Sequence, residues 1–131
     1  MKVVAVLGAS RDRRKFGNKA VRAFQNRGYD VVPINPCHAH EVLSNSALIE
    51  GLRTYGSVLD VPRAIDMATF YVTPNIGEEV VREMATKGVP EICINPGADS
   101  RELIVRAHAL GLKTKLWCSI VAIGETPSDY E

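Results

Sequence analysis

Four short, unbroken apolar runs rich in β-branched and aromatic side chains punctuate the chain, at Val3–Leu7 and at residues 31–34, 68–72 and 92–94. Each is too short for a helix and reads as a strand buried on both sides. Between them the apolar positions change period. Phe16, Ala20, Val21 and Phe24 share one helical face, as do Ile76, Val80, Val81 and Met84, and then Leu103, Ile104, Ala107 and Leu110. Gly28, Gly88 and Gly111 fall where these helices should stop, because a left-handed residue favours glycine there. A further edge strand is expected over 112–117, a short one over 53–55, and a capping box at Ser57 and Asp60. Strand and helix alternate throughout, and right-handed crossovers then place helices on both faces of a parallel sheet. The expectation is a single doubly wound, Rossmann-like α/β domain over residues 1–124, with a mostly parallel sheet of five to six strands. The polar residues 125–131 are expected to form a flexible tail. At 131 residues the chain has the length of one domain.

Composition excludes several classes. Sixteen basic against fifteen acidic residues leave a net charge of +1, which argues against nucleic-acid binding through bulk charge. The longest stretch without a charged residue runs from Met67 to Gly77, too short to span a bilayer, and the N-terminal apolar run is too short for a signal-peptide core. Cys37, Cys93 and Cys118 are odd in number and lack CxxC spacing, so free thiols in a cytoplasmic protein are expected. Cys37, His38 and His40 cluster in one loop, but one loop does not close a zinc site, and no metal is expected. His108 falls within a helix pattern.

In a sheet of this kind ligands bind beyond the carboxyl ends of the strands. The first strand ends in Gly8, Ala9 and Ser10, followed by a basic run of Arg11, Arg13, Arg14, Lys15 and Lys19 with the single acid Asp12. Phe16, Gly17 and Asn18 open the next helix. Small residues admit a ligand to the backbone, and a helix start offers unpaired N–H groups to an anion, most simply a phosphate. Three other strands end in X-Pro steps: Asn35-Pro36, Thr73-Pro74 and Asn95-Pro96, the last followed by Gly97. Proline removes a ladder donor and turns the chain, so three such steps on one edge are expected to form a rigid wall. The dinucleotide fingerprint GxGxxG is not met: Ser10 and Arg13 stand at its second and third glycine positions, and Asn35 replaces the acid that would bind a ribose. A ligand richer in phosphate than NAD fits the basic run better.

Taken in order, Val6-Leu7-Gly8-Ala9-Ser10, Lys15-Phe16-Gly17-Asn18, Gly28-Tyr29, Val32-Pro33-Ile34-Asn35-Pro36, Tyr71-Val72-Thr73-Pro74 and Asn95-Pro96-Gly97-Ala98 resemble the small single-domain CoA-binding proteins. These are similar to the CoA-binding domain of the succinyl-CoA synthetase alpha subunit and of related acyl-CoA ligases. The resemblance implies that Gly8 to Arg11, Arg14 and the Lys15 to Asn18 helix start hold the phosphates of CoA or an acyl-CoA. It also implies that the loop after Asn35-Pro36 lies by the nucleotide, and that Val72-Thr73-Pro74 meets the adenine and the start of the pantetheine arm. The phosphohistidine domain and ATP-grasp partner of the synthetases are not in this sequence, so ligase activity does not carry over. The primary expectation is a CoA-binding module without catalytic residues of its own. An NAD(P)-type oxidoreductase, or a CoA-dependent transferase or ligase working with a partner subunit, is the other class; a protein partner or homo-oligomer is compatible with both. Gly8→Val and Lys15→Glu are expected to weaken CoA binding more than they lower stability.

Overall fold

The computed structural model describes residues 2–36 and 48–131. Five strands, β1 (Val3–Leu7), β2 (Asp30–Ile34), β5 (Met67–Phe70), β6 (Glu91–Ile94) and β7 (Lys113–Lys115), form one parallel sheet in the order β2-β1-β5-β6-β7. A two-stranded antiparallel hairpin, β3 (Leu48–Ile49) and β4 (Leu52–Arg53), lies apart from it. The expected sixth strand at 53–55 shrinks to this hairpin and a single parallel bridge between Ile34 and Tyr55. The edge strand is also shorter than its apolar run, because Leu116 and Trp117 turn out into solvent.

Helices α2 (Pro74–Lys87) and α3 (Arg101–Ala109) cover one face of the sheet; α1 (Phe16–Asn26) and the one-turn α4 (Ser119–Ala122) cover the other. Alternation along the strands sorts the core accordingly. Ala5, Leu7, Ala68, Phe70, Ile92 and Ile94 face α2 and α3, whereas Val4, Val6 and Val31 face α1 and Ile120. Gly28, Gly88 and Gly111 have φ of 82°, 85° and 77°, as their places after the helices require. At Ser57 the side chain accepts from Leu59 N at 3.1 Å and donates to Glu83, so it caps a 3-10 turn rather than closing a box with Asp60.

The last residues, read as flexible from composition, form a 3-10 turn, Pro127–Tyr130, on α1. Arg22 donates to Tyr130 O at 2.6 Å, Arg27 pairs with Glu125 at 2.8 Å, and the Tyr130 hydroxyl donates to Glu125. Arg22 and Arg27 lie about a hundred positions from these partners in sequence, which is why local composition does not reveal the contacts. Among the described residues no helix is long and apolar enough to cross a membrane.

Candidate functional site

The register places Leu7 level with Ile34 on one side and with Phe70 on the other, and Phe70 level with Ile94. The residues that follow, Gly8, Asn35, Tyr71 and Asn95, therefore leave the sheet side by side at its carboxyl edge. All four line one cleft of about 690 Å³. It opens beside β1 and β5, where the strand order reverses and the helices on either side diverge.

Backbone proximity shapes one wall. Gly8 has φ of 88°, and a Cβ there would lie 2.6 Å from Tyr71 O. Its N–H and that of Ala9 both donate to Ile34 O, at 2.9 and 3.2 Å, so these two donors close the turn. A Cβ at Gly17 would stand 2.0 Å from Gly8 O. Close packing of helix on strand, the task of the third glycine in the dinucleotide fingerprint, thus falls here to Gly17 at a different spacing. Phe16 and Gly17, in the first turn of α1, both line the cleft, and their N–H groups have no intrahelical acceptor. A side chain at Gly8 strains the chain as well as the site, so Gly8→Val does not separate binding from folding, contrary to the sequence expectation.

Of the residues expected to bind ligand, Gly8, Ala9, Ser10, Lys15, Phe16, Gly17, Asn35, Pro36, Val72, Thr73, Asn95 and Pro96 line the cleft. Five lie outside its wall. Arg11 donates to Leu48 O at 3.3 Å, and Arg14 is bound in a fork to Asp12, both bonds at 3.0 Å. That contact holds the Asp12 carboxyl down near 2. Asn18 is buried: its amide donates to Ser10 O at 2.8 Å and to Glu50 at 3.2 Å, and its oxygen accepts from Arg22 at 2.7 Å. These bonds tie the loop to α1. Pro74 occupies the first position of α2, where its missing N–H costs nothing, and Gly97 makes an exposed turn with its N–H on Asp99.

Tyr71, Ile76, Cys118 and Pro127 also line the cleft. Tyr71 follows β5, and Cys118 lies beyond the end of the last strand, where the sequence sets its thiol near that of CoA with plain packing as the favoured reading; Ile76 and Pro127 carry no such signal in the sequence. A buried polar network anchors the C-terminal segment. The Asn95 amide donates to Thr69 Oγ1 at 2.7 Å and to Phe70 O at 2.8 Å, and its oxygen accepts from Ser119 N at 2.8 Å. Thr69 donates to Ser119 Oγ at 2.8 Å, and the Tyr71 hydroxyl lies 2.8 Å from the same oxygen. Burial pushes the Tyr71 phenol well above its ordinary range and the Cys93 thiol up to about 11. His108 faces outward, 2.9 Å from Thr114. Cys37, His38 and His40 lie outside the described residues, among which no cluster of potential metal ligands occurs.

Residues 2–122 match the family described as CoA binding domain. The chain belongs to that family. An ADP-forming acetate–CoA ligase II of Archaeoglobus fulgidus is 36% identical over 103 residues, which are 77% of this chain and 14% of the ligase. The alpha subunit of an ADP-forming acetate–CoA ligase II from Pyrococcus furiosus is 25% identical over 121 residues, 84% of this chain and 25% of the subunit. The chain thus spans a quarter or less of these relatives. Among solved structures, a conserved hypothetical protein from Pyrococcus furiosus superposes with a TM-score of 0.80 at 30% identity, over 93% of this chain and 99% of its own. A dinucleotide-forming acetyl-coenzyme A synthetase 1 from Ca. Korarchaeum cryptofilum gives 0.69 at 28% identity, over 86% of this chain and 25% of its own. The five-stranded Rossmann-like domain is shared by the small protein and the large synthetase.

Proposed function

We propose that this CoA binding domain holds CoA or an acyl-CoA in the cleft at the carboxyl edge of the sheet, and carries out no bond-making step by itself. The observation that carries this reading is the joining, in one cleft of about 690 Å³, of the open start of α1 with Lys15 at one part and an apolar wall of Val72, Ile76, Pro96 and Pro127 at another. That volume falls within the range of small-molecule sites. Phosphates fit the first part, where backbone N–H groups and an ammonium converge; an uncharged pantetheine arm fits the second. The buried titratable groups, Tyr71 in the cleft wall and Cys93 in the strand behind it, favour holding over chemistry. Tyr71 and Cys93 keep their protons at neutral pH, and each is tied into the hydrogen bonds that anchor α4 or the backbone before it.

Titration calorimetry with CoA, desulfo-CoA and acetyl-CoA tests the reading, with NADP as comparator. Binding of the CoA species with NADP silent is expected. Absence of heat at millimolar CoA, or binding of NADP alone, overturns it. A second reading, a CoA-dependent ligase component that acts with a partner, is favoured by the relative named as an alpha subunit and by the exposed Leu116, Trp117 and Val121. Acyl-CoA turnover that appears only when a partner subunit is added would select it.

A further inference from the structure

Two walls of the cleft come from distant parts of the chain. Ser10 and Lys15 line it from the loop before α1, and Pro127 lines it from the C-terminal 3-10 turn. One side chain of α1 bonds to both segments. Arg22 donates from Nε to Asn18 Oδ1 at 2.7 Å, and from Nη2 to Arg13 O at 2.8 Å and to Tyr130 O at 2.6 Å. The amide of the same Asn18 donates to Ser10 O at 2.8 Å. The Tyr130 ring also lies near the guanidinium, 5.5 Å from Cζ to the ring centre. Ser10, Asn18, Arg22 and Tyr130 thus form one continuous chain of bonds from the loop wall to the turn that carries Pro127.

The two segments are held unequally. The loop is anchored on Asn18, which is fully buried. The turn has no buried residue; besides the bond from Arg22, Tyr130 holds it, with its ring packed partly on the α1 side of the core and its hydroxyl on Glu125. A segment tied by a few polar contacts opens at low cost. A guanidinium is planar and its donors point in fixed directions, so the bonds to Asn18 and Arg13 O fix the direction of the N–H that meets Tyr130 O. A displaced loop therefore misaims the bond to the turn.

We infer that Arg22 is a positioning residue that couples the two walls, so that the loop at the start of α1 sets the C-terminal turn as a strap along the apolar part of the cleft. This rests on the reading of the cleft as a CoA site, with the charged groups at the loop and the pantetheine arm against Pro127. A ligand that spans both walls is held more tightly when the turn is already set, because its ordering no longer accompanies binding. A ligand confined to the loop end gains nothing from the strap. Arg22 thus decides how strongly the cleft distinguishes the whole ligand from its nucleotide part.

The test measures CoA and ADP, which lacks the pantetheine arm, by calorimetry in the wild type, Arg22→Met, Pro127→Ala and the double variant, with hydrogen exchange on the ligand-free proteins. Arg22→Met is expected to weaken CoA about tenfold and ADP less than about twofold. In the double variant the losses should not add, because both substitutions remove the same wall. Unchanged CoA affinity in Arg22→Met, equal losses for CoA and ADP as a merely structural role would give, or additive losses in the double variant overturn the inference. Arg22→Lys keeps the charge without the fork of donors. It serves if the methionine variant does not fold: it should lose CoA affinity in the same way, and wild-type affinity in it overturns the inference. Without ligand, the Arg22 variants should exchange faster over residues 10–15 and 127–131 together; faster exchange in one segment alone, or in neither, overturns the coupling. If the wild type binds no CoA, the CoA reading fails by itself and this exchange comparison decides the coupling.

Discussion

Replacing Gly17 by alanine tests the claim that close packing of α1 on β1 builds the site. The added Cβ would lie 2.0 Å from Gly8 O and 2.9 Å from Gly8 C, both backbone atoms of a turn pinned to Ile34 O. Real Cβ contacts essentially never fall below 3.0 Å, so the helix start must retreat by at least 1 Å. Overpacking of this kind costs about 1–3 kcal/mol, and with no flexible side chain to yield, a value near the top of that range is expected. For a chain of this length about 3 kcal/mol corresponds to a melting temperature lower by about 12 °C. Gly28→Ala is the control: unlike the helical Gly17, Gly28 has a left-handed φ, 82°, and no atom lies within 4 Å of its Cβ position. It should lose only the backbone term, about 1–2 kcal/mol. Because the retreat carries the Phe16 and Gly17 N–H groups away from the cleft, CoA affinity should fall in Gly17→Ala and stay unchanged in Gly28→Ala. Thermal denaturation and calorimetry on the two variants read both quantities. A Gly17→Ala protein that melts within about 2 °C of the wild type and binds CoA equally well would refute the packing argument.

Other outcomes follow from the same geometry. Asn95→Leu leaves Ser119 N and Phe70 O without their partner in a buried site; a loss of about 2–4 kcal/mol in urea denaturation is expected, and one below about 0.5 kcal/mol would contradict the network's role. Lys15→Glu, at an exposed position without an ion-pair partner among the described residues, should change the melting temperature by no more than about 2 °C while weakening CoA about tenfold or more by calorimetry; equal affinity would remove Lys15 from the site. The Cys93 thiol is raised in the folded protein from its ordinary 9.0 to about 11. Above pH 9 the unfolded chain loses this proton first, so the stabilisation is complete below pH 9 and is lost as pH rises through 11. Urea midpoints measured from pH 8 to 11 should fall more steeply in the wild type than in Cys93→Ala, and parallel curves would count against the burial of that thiol.

Sequence by itself determined the architecture. The change of hydrophobic period between 2 and 3.6, with glycine at each helix end, specifies a run of βα units, and chirality leaves one handedness for the crossovers. It also pointed to the edge where the candidate cleft opens, because Gly8, Asn35, Thr73 and Asn95 mark the ends of strands and line that cleft. What each of those residues does was decided by tertiary contacts. Arg11 and Asn18, expected among the ligand groups of the basic loop, bond to Leu48 O and Glu50 more than thirty residues on, whereas Arg14 finds its partner locally in Asp12. Gly17 lines the cleft, and its lack of a side chain makes room for Gly8 O, nine residues earlier in the chain. Tyr71, Cys118 and Pro127 reach the cleft through strand register and through a C-terminal turn held by Arg22 and Glu125. Periodicity records which face of an element is buried, and that is a local property. Which polar atom satisfies which depends on atoms brought together from distant parts of the chain, and only the folded structure contains that pairing.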